Sequence, residues 1–537
     1  MDTTSTIAAT TLDQWMIDTG VKVDTSGVGI DASGATVGRE FTIKGILRSA
    51  SGPAMQVGDA SLADSQTKIR LDYTASISSN GLGIAAASGG IRLEVVGDAL
   101  NGSATITTTG NAVELRQGMN VVLNDGTIES TGGTAIVSSG AGDQLKNSAA
   151  ISAMSTAIVT EGNDFSFETY GTNTVVSTEG YGVLSTGANL SFKNSGGSIT
   201  SRLDAISASG SNAKIENYAT ITSTAGAGIV ATGDAAHIVN TVLVSGVTAG
   251  IAATGAAADI DNYGEIRSQG LGIQVLGDGS NVETTAKILA NVGLAVGGFD
   301  SVATNFNVIR STSKTEAAVI LSDTADFRHI SGTVSARSGL AIFAGDGDNA
   351  VDMWGRLRGD VKLGGGNDWF GSPYGEVKGK VYGGAGDDIY ETGIPLEIVE
   401  RKGQGNDTLK STYTWSLAAN IENLELVGDE IADAIGNKLK NVLTGNSADN
   451  KFWGEGGRDI FVMQTEGSHD TIVDFQDGRD LIDFRLVDGI DRFSDLKRSL
   501  HQTGQDVVID LAKRPADMVL TVLNVDRHDL SASDFLF

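Results

Sequence analysis

The segment KIENYATITSTAGAGIVATG (214–233) is one copy of a unit that repeats every 21–24 residues between about residue 80 and residue 330. Polar and apolar residues alternate around Asn217, with Ile215 and Ile221 on either side, which predicts short strands. A unit of about 22 residues with three short strands cannot bury its apolar face alone. The repeat therefore predicts coils that stack into a parallel β-helix.

Two parts of the unit recur along the chain. One is an Asn followed four residues later by Ile or Val, found at Asn124/Ile128, Asn147/Ile151, Asn217/Ile221, Asn240/Val244, Asn262/Ile266 and Asn305/Ile309, and one residue longer at Asn194/Ile199. The other ends in Gly and is found as AIVSSG (135–140), AIVTEG (157–162), GVLSTG (182–187), AISASG (205–210), GIVATG (228–233), GIAATG (250–255) and GIQVLG (272–277). Coils stacked at roughly 4.8 Å place the Asn side chains above one another, so we expect a hydrogen-bonded amide ladder.

This periodicity resembles that of the parallel β-helices of secreted bacterial proteins, which include autotransporter passengers and polysaccharide-active enzymes. The resemblance implies a fold and says little about activity, because function resides in sites carried by a fold.

Composition restricts the class of protein. Among 537 residues there are 71 Gly, 4 Pro and no Cys, and the formal net charge is −28. The charge argues against a nucleic-acid partner, which requires a basic surface, and the missing Cys excludes disulfides and thiol catalysis. No apolar run approaches the length of a transmembrane segment, and the N-terminus does not have the pattern of a classical signal peptide.

A second repeat begins near residue 344. The stretches LGGGNDWF (363–370), GGAGDDIY (383–390) and KGQGNDTL (402–409), with a degenerate copy AGDGDNAV (344–351), fit the nonapeptide G-G-x-G-x-D-x-U-x, in which U is a large apolar residue. Glycine permits the tight turn, and aspartate supplies the hard oxygen that Ca²⁺ prefers. We therefore predict that calcium is bound by Gly345, Gly347, Asp348, Gly364, Gly366, Asp368, Gly384, Gly386, Asp388, Gly403, Gly405 and Asp407.

A further run, GNKLKNVLTGNSADNKFWGEGGRDIF (436–461), places glycines nine residues apart. Asp459 matches the ligand position and Asp449 is a further candidate, whereas Asn441 in the first copy is expected to pack rather than bind. These motifs resemble those of RTX (hemolysin-type) calcium-binding β-rolls, in which U points inward and the Asp is a calcium ligand.

The C-terminal segment carries the other resemblance. DTIVDFQDGRDLIDF (470–484) and the terminal SDFLF resemble the cap and uncleaved secretion signal of serralysin-type and other type I-secreted proteins. The resemblance implies export through ABC-type secretion machinery to the exterior of a Gram-negative cell, where calcium would bind and fold the chain. The zinc motif HExxH is absent, which excludes serralysin-type proteolysis.

The sequence thus predicts an all-β protein, a parallel β-helix (β-solenoid) that continues into a calcium-binding RTX β-roll with a C-terminal β cap. The predicted regions are an N-terminal cap of irregular coils (1–75), the β-helix (76–343), the β-roll (344–460) and the cap with its secretion signal (461–537). The alternative is two separate domains joined near residue 345, but no Pro- or Ser-rich linker occurs there.

No convergent catalytic cluster is evident. Asp261 and Glu283 form a candidate acid pair, although ordinary surface charge accounts for them as well. His237 is expected to be a solvated residue of an outward polar column. Tyr218, Tyr263 and Phe306 follow ladder asparagines and are either outward stacking platforms for sugars or inward fillers.

The sequence features bear on three classes of function: a structural or adhesive protein, an enzyme and a toxin. The leading hypothesis is a non-enzymatic, calcium-dependent extracellular solenoid acting as an adhesin or as a surface, matrix or filament component that contacts polysaccharide, a cell surface or further copies of itself. The rival is an enzyme that degrades or modifies extracellular polysaccharide. A toxin is disfavoured, because the long apolar helical segments of such relatives are absent.

Overall fold

The protein is an all-β parallel β-solenoid in which short strands stack in successive coils. The computed structural model describes residues 7–8, 14–33, 38–58, 66–98, 100, 102–464, 468–512 and 517–537. The chain divides into two compact units, Met1–Ala303 with Val308–Thr312 and Thr304–Asn307 with Ser313–Phe537. The predicted all-β class and parallel β-solenoid are confirmed.

A coil of the first unit consists of three short strands. In one coil these are Lys214–Asn217, Thr220–Ser223 and Ile229–Ala231. Each pairs in parallel with its equivalent in the next coil, so that Asn217 lies beside Asn240 without any shift of register. Three faces result, which we call the ladder face, the middle face and the return face in the order of the chain.

The strands of the first unit follow this order throughout. The ladder face contains Gln14–Ile17, Glu40–Ile43, Lys68–Leu71, Arg92–Val95, Val121–Asn124, Gln144–Asn147, Ser166–Thr169, Ser191–Asn194, Lys214–Asn217, His237–Asn240, Asp259–Asn262 and Asn281–Thr284. The middle face contains Lys22–Thr25, Ile46–Ser49, Ser76–Ser79, Thr105–Thr108, Thr127–Ser130, Ile151–Ala153, Thr174–Ser177, Ser198–Ser201, Thr220–Ser223, Val244–Gly246, Ile266–Ser268, Ile288–Ala290 and Ile309–Ser311. The return face contains Ile7–Ala8, Ile30–Ala32, Met55–Val57, Ile84–Ala86, Val113–Leu115, Ile136–Ser138, Ile158–Thr160, Val183–Ser185, Ile206–Ala208, Ile229–Ala231, Ala249–Ala253, Leu271–Val275 and Val292–Val296.

Two features depart from this plan. A small antiparallel hairpin, Gly97–Asp98 with Gly102–Ser103, is inserted within one coil, between the ladder-face strand Arg92–Val95 and the middle-face strand Thr105–Thr108. The strand Val302–Asn305 contributes residues to both units. The segment 1–75 fits the sequence repeat poorly, yet its described strands pair in parallel register like the others, as Glu40 does with Lys68. Residues 1–6, 9–13, 34–37 and 59–65 of that segment lie outside the described residues.

The core of the first unit is a set of aliphatic columns. Ile215, Ile238 and Ile260 occupy the same position in consecutive coils and are each 0% exposed. Alternation along a strand sends every second side chain inward, so the repeat spacing places like side chains in contact. Burial of each such side chain contributes about 1.5–3 kcal/mol.

The predicted amide ladder is confirmed. Asn194 Nδ2 donates to Asn217 Oδ1, Asn217 Nδ2 to Asn240 Oδ1, and Asn240 Nδ2 to Asn262 Oδ1, each at 2.8 Å. All four asparagines are 0% exposed. Thr284 accepts the next bond, at 3.0 Å from Asn262 Nδ2. Repetition thus gives each amide from Asn194 to Asn262 a donor bond to the next coil, while Asn194 Oδ1, at the start of this run, has no partner.

The second unit also stacks its strands in parallel. One face contains Asp326–His329, Ala350–Met353, Trp369–Ser372, Ile389–Thr392, Thr408–Ser411, Asn423–Leu426, Val442–Thr444, Ile460–Val462, Leu481–Asp483 and Phe535–Leu536. The facing strands are Val319–Leu321, Thr333–Phe343, Arg356–Gly365, Glu376–Lys378, Lys380–Ala385 and Glu397–Val399, followed by Trp415–Ser416, Ala434–Ile435, Lys451–Trp453, His469–Ile472 and Val519–Val522.

Two successive coils of this unit pair in register at an offset of 20 residues. Val361 pairs with Val381, and Trp369 pairs with Ile389. The large apolar residue of each motif points inward, as the sequence predicts, because Phe370 and Tyr390 are each 0% exposed.

The C-terminal region changes the strand direction. Val519–Val522 pairs in parallel with His469–Ile472 but antiparallel with Asp506–Asp510, which in turn pairs antiparallel with Leu500–Thr503. The described helices are the single turn Phe493–Leu496 and the 3₁₀ turn Ala532–Asp534. None of the helices in the described part of the chain has the length and hydrophobicity of a membrane span.

The ladder gives a first prediction. Asn217→Ala removes one rung and leaves the buried amide donor on Asn194 without its partner, which costs about 1–3 kcal/mol, while Asn240 Oδ1 keeps only the 3.4 Å bond from the backbone N–H of Val242. We expect a lower urea midpoint, measured by circular dichroism. Asn281→Ala, which removes an exposed amide bonded to Asp259 at 3.1 Å, is the matched control and should leave the midpoint unchanged. Equal effects of the two substitutions would contradict a stabilising role for the ladder.

Candidate metal centre

A column of buried polar residues runs through the second unit at the sixth position of the nonapeptide motif. It consists of Asn349, Asp368, Asp388 and Asp407, which stand immediately before strands paired in register. Asn349 is 2% exposed and the three aspartates are each 1% exposed. We call this set the aspartate column. The sequence repeat places the carboxylates above one another, just as it does the ladder asparagines.

One oxygen of each carboxylate is fixed by the backbone of the preceding coil. The backbone N–H of Asn349 donates to Asp368 Oδ1 at 2.8 Å, that of Asp368 to Asp388 Oδ1 at 2.9 Å, and that of Asp388 to Asp407 Oδ1 at 3.0 Å. The column continues to Glu422, whose Oε2 accepts from the backbone N–H of Asp407 at 2.9 Å. These bonds hold the carboxylates in one orientation.

The other oxygen has no protein partner in two of the three aspartates. Asp368 Oδ2 and Asp388 Oδ2 are buried and accept no hydrogen bond, and the same holds for Asn349 Oδ1. A buried carboxylate oxygen without a donor is costly, since desolvation is then uncompensated. Other unpartnered buried side-chain atoms among the described residues belong to neutral groups, with the exception of Asp459 Oδ2.

Buried carboxylates outside these motif positions behave differently. Asp143 in the first unit accepts from Asn120 at Oδ1 and from Ser138 Oγ at Oδ2, the latter at 2.6 Å. Asp470 accepts from the backbone of Asn450 and from Ser468 Oγ. The unpartnered oxygens are therefore a feature of the motif and not of buried carboxylates in this chain generally.

A second, shorter column, Asn441, Asp459 and Asp480, continues the same in-register row beyond Glu422. Asp459 is 0% exposed, its Oδ1 accepts from the backbone of Asn441 at 2.8 Å, and its Oδ2 has no partner. Asp480 accepts at both oxygens, from Asp459 and from Gln476. Asn441 donates its amide to the backbone carbonyls of Ile421 and Glu422, in agreement with the prediction that it packs.

Glycines leave the space that the carboxylates occupy. A Cβ added to Gly383 would overlap Asp388 Oδ2, and a Cβ added to Gly454 would overlap Asp459 Oδ2. The predicted turn glycines lie in the same loops, and Gly364, Gly366, Gly384, Gly386 and Gly403 have positive φ angles, which side chains rarely adopt. Gly345, Gly347 and Gly405 lie at the equivalent turns without a positive φ.

The structure places two predicted ligands outside the columns. Asp348 is exposed and stands one residue before Asn349, in a separate outer row where its Oδ1 accepts from the backbone of Asn367 at 2.7 Å. Asp449 likewise precedes the buried Asn450, and its side chain is 58% exposed. In both copies the sixth position of the motif is an asparagine, Asn349 in one and Asn450 in the other. Counting from the preceding glycine therefore identifies Asn349, whereas a search for acidic residues selects Asp348.

Burial raises the pKa of these carboxyl groups. It raises the pKa of Asp368 and Asp407 to about 7 and that of Asp388 to about 6, and neighbouring carboxylates add to the shift, while the backbone hydrogen bonds oppose it. Burial likewise raises the pKa of Asp459 to about 6. Negative charge in these columns is therefore unfavourable unless a cation compensates it.

The donor set fits a hard divalent cation. The columns offer carboxylate and amide oxygens at glycine turns whose carbonyl groups are close by, and the chain contains no Cys. Ca²⁺ takes 6–8 oxygen ligands in flexible geometry, whereas Mg²⁺ requires a near-ideal octahedron and keeps water. The fit to calcium rests on the unpartnered oxygens and the glycine cradle.

The first unit carries the candidate acid pair. Asp261 and Glu283 are direct neighbours on adjoining strands of the ladder face. His237 Nδ1 lies 3.0 Å from Asp259 Oδ2, and one ligand atom from each of His237, Asp259 and Asp261 lies within 4.8 Å of the others. These side chains are only partly buried, as expected for an outward polar column.

The exposure of the three aromatic residues that follow ladder asparagines decides whether they point outward or inward. Tyr218 is 42% exposed, Tyr263 48% and Phe306 37%, so all three point outward.

Partial burial and the charge of Asp259 raise the pKa of Asp261, while His237 opposes the shift.

The raised pKa values predict an unusual pH dependence when no divalent cation is present. The carboxyl groups titrate at about 6–7 when folded and near 3.8 when unfolded, so the folded state gains protons over this range. Stability from these groups is complete below about pH 4 and is lost as the pH rises through 6–7, by roughly 3 kcal/mol for a carboxylate shifted by two units. In chelator, the second unit should unfold at a lower temperature at pH 8 than at pH 5, measured by calorimetry. A higher midpoint at pH 8 would contradict the pKa assignment.

Comparison of the chain with models of known protein families and with the sequences of curated proteins finds no match in either. The β-solenoid fold is thus established by the structure alone, and the likeness to RTX proteins remains one of motif and geometry.

Proposed function

We propose that this protein is a calcium-dependent extracellular β-solenoid in which Ca²⁺ bound along the aspartate column completes the folding of the second unit. The observation that carries the proposal is the pair of buried, unpartnered oxygens, Asp368 Oδ2 and Asp388 Oδ2, in consecutive coils. A bound cation would supply the missing partner and neutralise the stacked charge. Binding energy would then be folding energy.

The proposed setting is outside the cell. Extracellular calcium modules bind with Kd of about 10⁻⁴–10⁻³ M, a range in which the fold would be complete outside the cell but not in the cytoplasm. The resemblance of the C-terminal segment to type I-secreted proteins supports export by an ABC-type machinery. A chain without cysteine needs no oxidation step to fold there.

The proposed role is structural or adhesive. The first unit is a regular stack whose inward positions are filled by aliphatic columns and the amide ladder, and its outer faces carry rows of side chains at a fixed spacing. Such a surface suits repeated weak contacts with a polymer, a cell surface or another copy of the chain, because equivalent positions recur at roughly 4.8 Å.

Removal of calcium tests the proposal. Each occupied site stabilises the folded state by about 2.7 kcal/mol at a calcium concentration of 100 times Kd. The thermal midpoint of the second unit should therefore rise by several degrees in calcium relative to chelator. An identical unfolding profile in both conditions would refute calcium dependence.

A matched pair of variants locates the effect. Asp388→Asn keeps an oxygen for the backbone N–H of Asp368 but removes the buried charge, so it should stabilise the protein in chelator and reduce the gain from calcium. Asp387→Asn changes the neighbouring exposed residue of the outer row, which accepts from the backbone of Asn406 at 2.8 Å, and should behave like the wild type.

The second candidate function is action on an extracellular polysaccharide. It is favoured by the outward Tyr263 beside Asp261, whose raised pKa suits a general acid near a second carboxylate on Glu283. Substitution Asp261→Ala should then lower product release from acidic polysaccharides by about 10²-fold or more, measured as reducing ends or unsaturated products. Glu216→Ala, at the equivalent position two coils earlier, is the control. Absence of any product from the wild-type protein would leave the structural role alone.

A further inference from the structure

We propose that Glu400 is a calcium ligand outside the repeat motif, and that Asp388, Glu400 and Asp407 form a three-carboxylate site that binds Ca²⁺ more tightly than the rest of the aspartate column. This inference rests on the proposed calcium dependence and adds to it a specific residue and an order of filling. Glu400 lies outside the nonapeptide motif, so counting along the motif does not identify it as a ligand.

A change of spacing brings Glu400 to the column. Tyr382 pairs with Val399, so Glu400 stands in register with Gly383, whereas Asp388 stands in register with Asp407. The turn from Glu400 to Asp407 is therefore two residues longer than the turn from Gly383 to Asp388 in the preceding coil. Where the earlier coil has a glycine, the later coil places a carboxylate side chain.

The three carboxylates converge on one space. One oxygen of each of Asp388, Glu400 and Asp407 lies within 4.8 Å of the others, a separation that a single cation with ligand distances of about 2.3–2.6 Å spans. All three side chains are buried, with exposures of 1%, 7% and 1%. Asp388 Oδ2 has no hydrogen-bond partner and is aimed at this space.

Gly383 lies next to the space between the three carboxylates. A Cβ at this glycine would overlap Asp388 Oδ2, Glu400 Oε1 and the hydroxyl of Tyr390. Tyr390 is 0% exposed and donates its hydroxyl hydrogen bond to Glu400 Oε1, which fixes the carboxylate in place. The arrangement corresponds to a ligand oriented by an outer hydrogen-bond partner.

The lysine side chains of neighbouring strands pair with other carboxylates. Lys380 and Lys410, on strands that belong to the same coils, pair instead with Glu397 at 2.6 Å and with Glu425 at 3.1 Å. Among the described residues, none of the ion pairs includes Asp388, Glu400 or Asp407. Calcium affinity rises with the number of charged ligands, so the site with three carboxylates is expected to fill first.

An ion can reach the site from solvent. A surface recess of about 460 Å³ is lined by Tyr382, Gly383, Glu400 and Gln404, among others. Because Gly383 and Glu400 line this recess, together with the exposed Lys362 and Arg401, it offers a route from solvent that does not cross the packed apolar columns.

The test is calcium titration of the full-length protein by isothermal calorimetry. Wild-type protein should show a tight class of sites and a weaker class, and Glu400→Gln should weaken the tight class by at least about tenfold while the weaker class is retained. Glu397→Gln, which alters an exposed carboxylate on the strand that ends just before Glu400, is the control and should titrate like the wild type. Unchanged affinity and stoichiometry in Glu400→Gln would overturn the inference. Failure of the wild-type protein to bind calcium would instead overturn the proposed function.

A second measurement covers the case in which Glu400→Gln does not fold. Terbium replaces calcium at oxygen sites and is excited through a nearby tyrosine, and Tyr390 is hydrogen-bonded to the proposed ligand. Tyr390→Phe should remove the part of the terbium emission that the first added equivalent of calcium displaces. Emission that is unchanged in this variant would show that the first ion binds elsewhere.

Discussion

The parallel stacking of coils in register is the constraint on which the whole structure depends. Equivalent residues of successive coils are direct neighbours, so a residue type that recurs at one position of the repeat stacks on itself. For aliphatic residues the result is a continuous apolar column. For asparagine it is a ladder, because an amide is both donor and acceptor.

Aspartates stack in the same way, but their side chains cannot hydrogen-bond to one another when they are ionised. A carboxylate accepts hydrogen bonds but donates none when ionised, so a column of aspartates cannot satisfy itself as the asparagines do. In the second unit the backbone N–H groups satisfy one oxygen of each carboxylate, and the other oxygen of Asp368 and Asp388 is left without a partner. Protonation or a bound cation resolves this conflict, and the proposed function assigns that task to calcium.

The two units therefore use one architecture under different electrostatic conditions. The first unit contains a buried carboxylate as well, Asp143, but protein donors bond both of its oxygens. Its ladder, formed by residues such as Asn217, is neutral, and the amide oxygen left without a partner at Asn194 carries no charge. The ladder therefore holds no charge for an ion to compensate, whereas the aspartate column stacks carboxylates whose charge is relieved by protonation or by a cation.

The sequence by itself determined the solenoid, the coil length, the amide ladder and the inward position of residues such as Phe370 and Tyr390, because each follows from a short repeat and from the alternation of side chains along a strand. It also placed the glycine–aspartate motif, in which counting from the glycines puts Asn349 rather than Asp348 at the position of the aspartates. The tertiary structure decided that the residues at this position form one buried column, since that depends on register between coils. It also decided that Glu400 joins the aspartate column, because a longer turn shifts that side chain into a position which no fixed spacing along the chain can reveal.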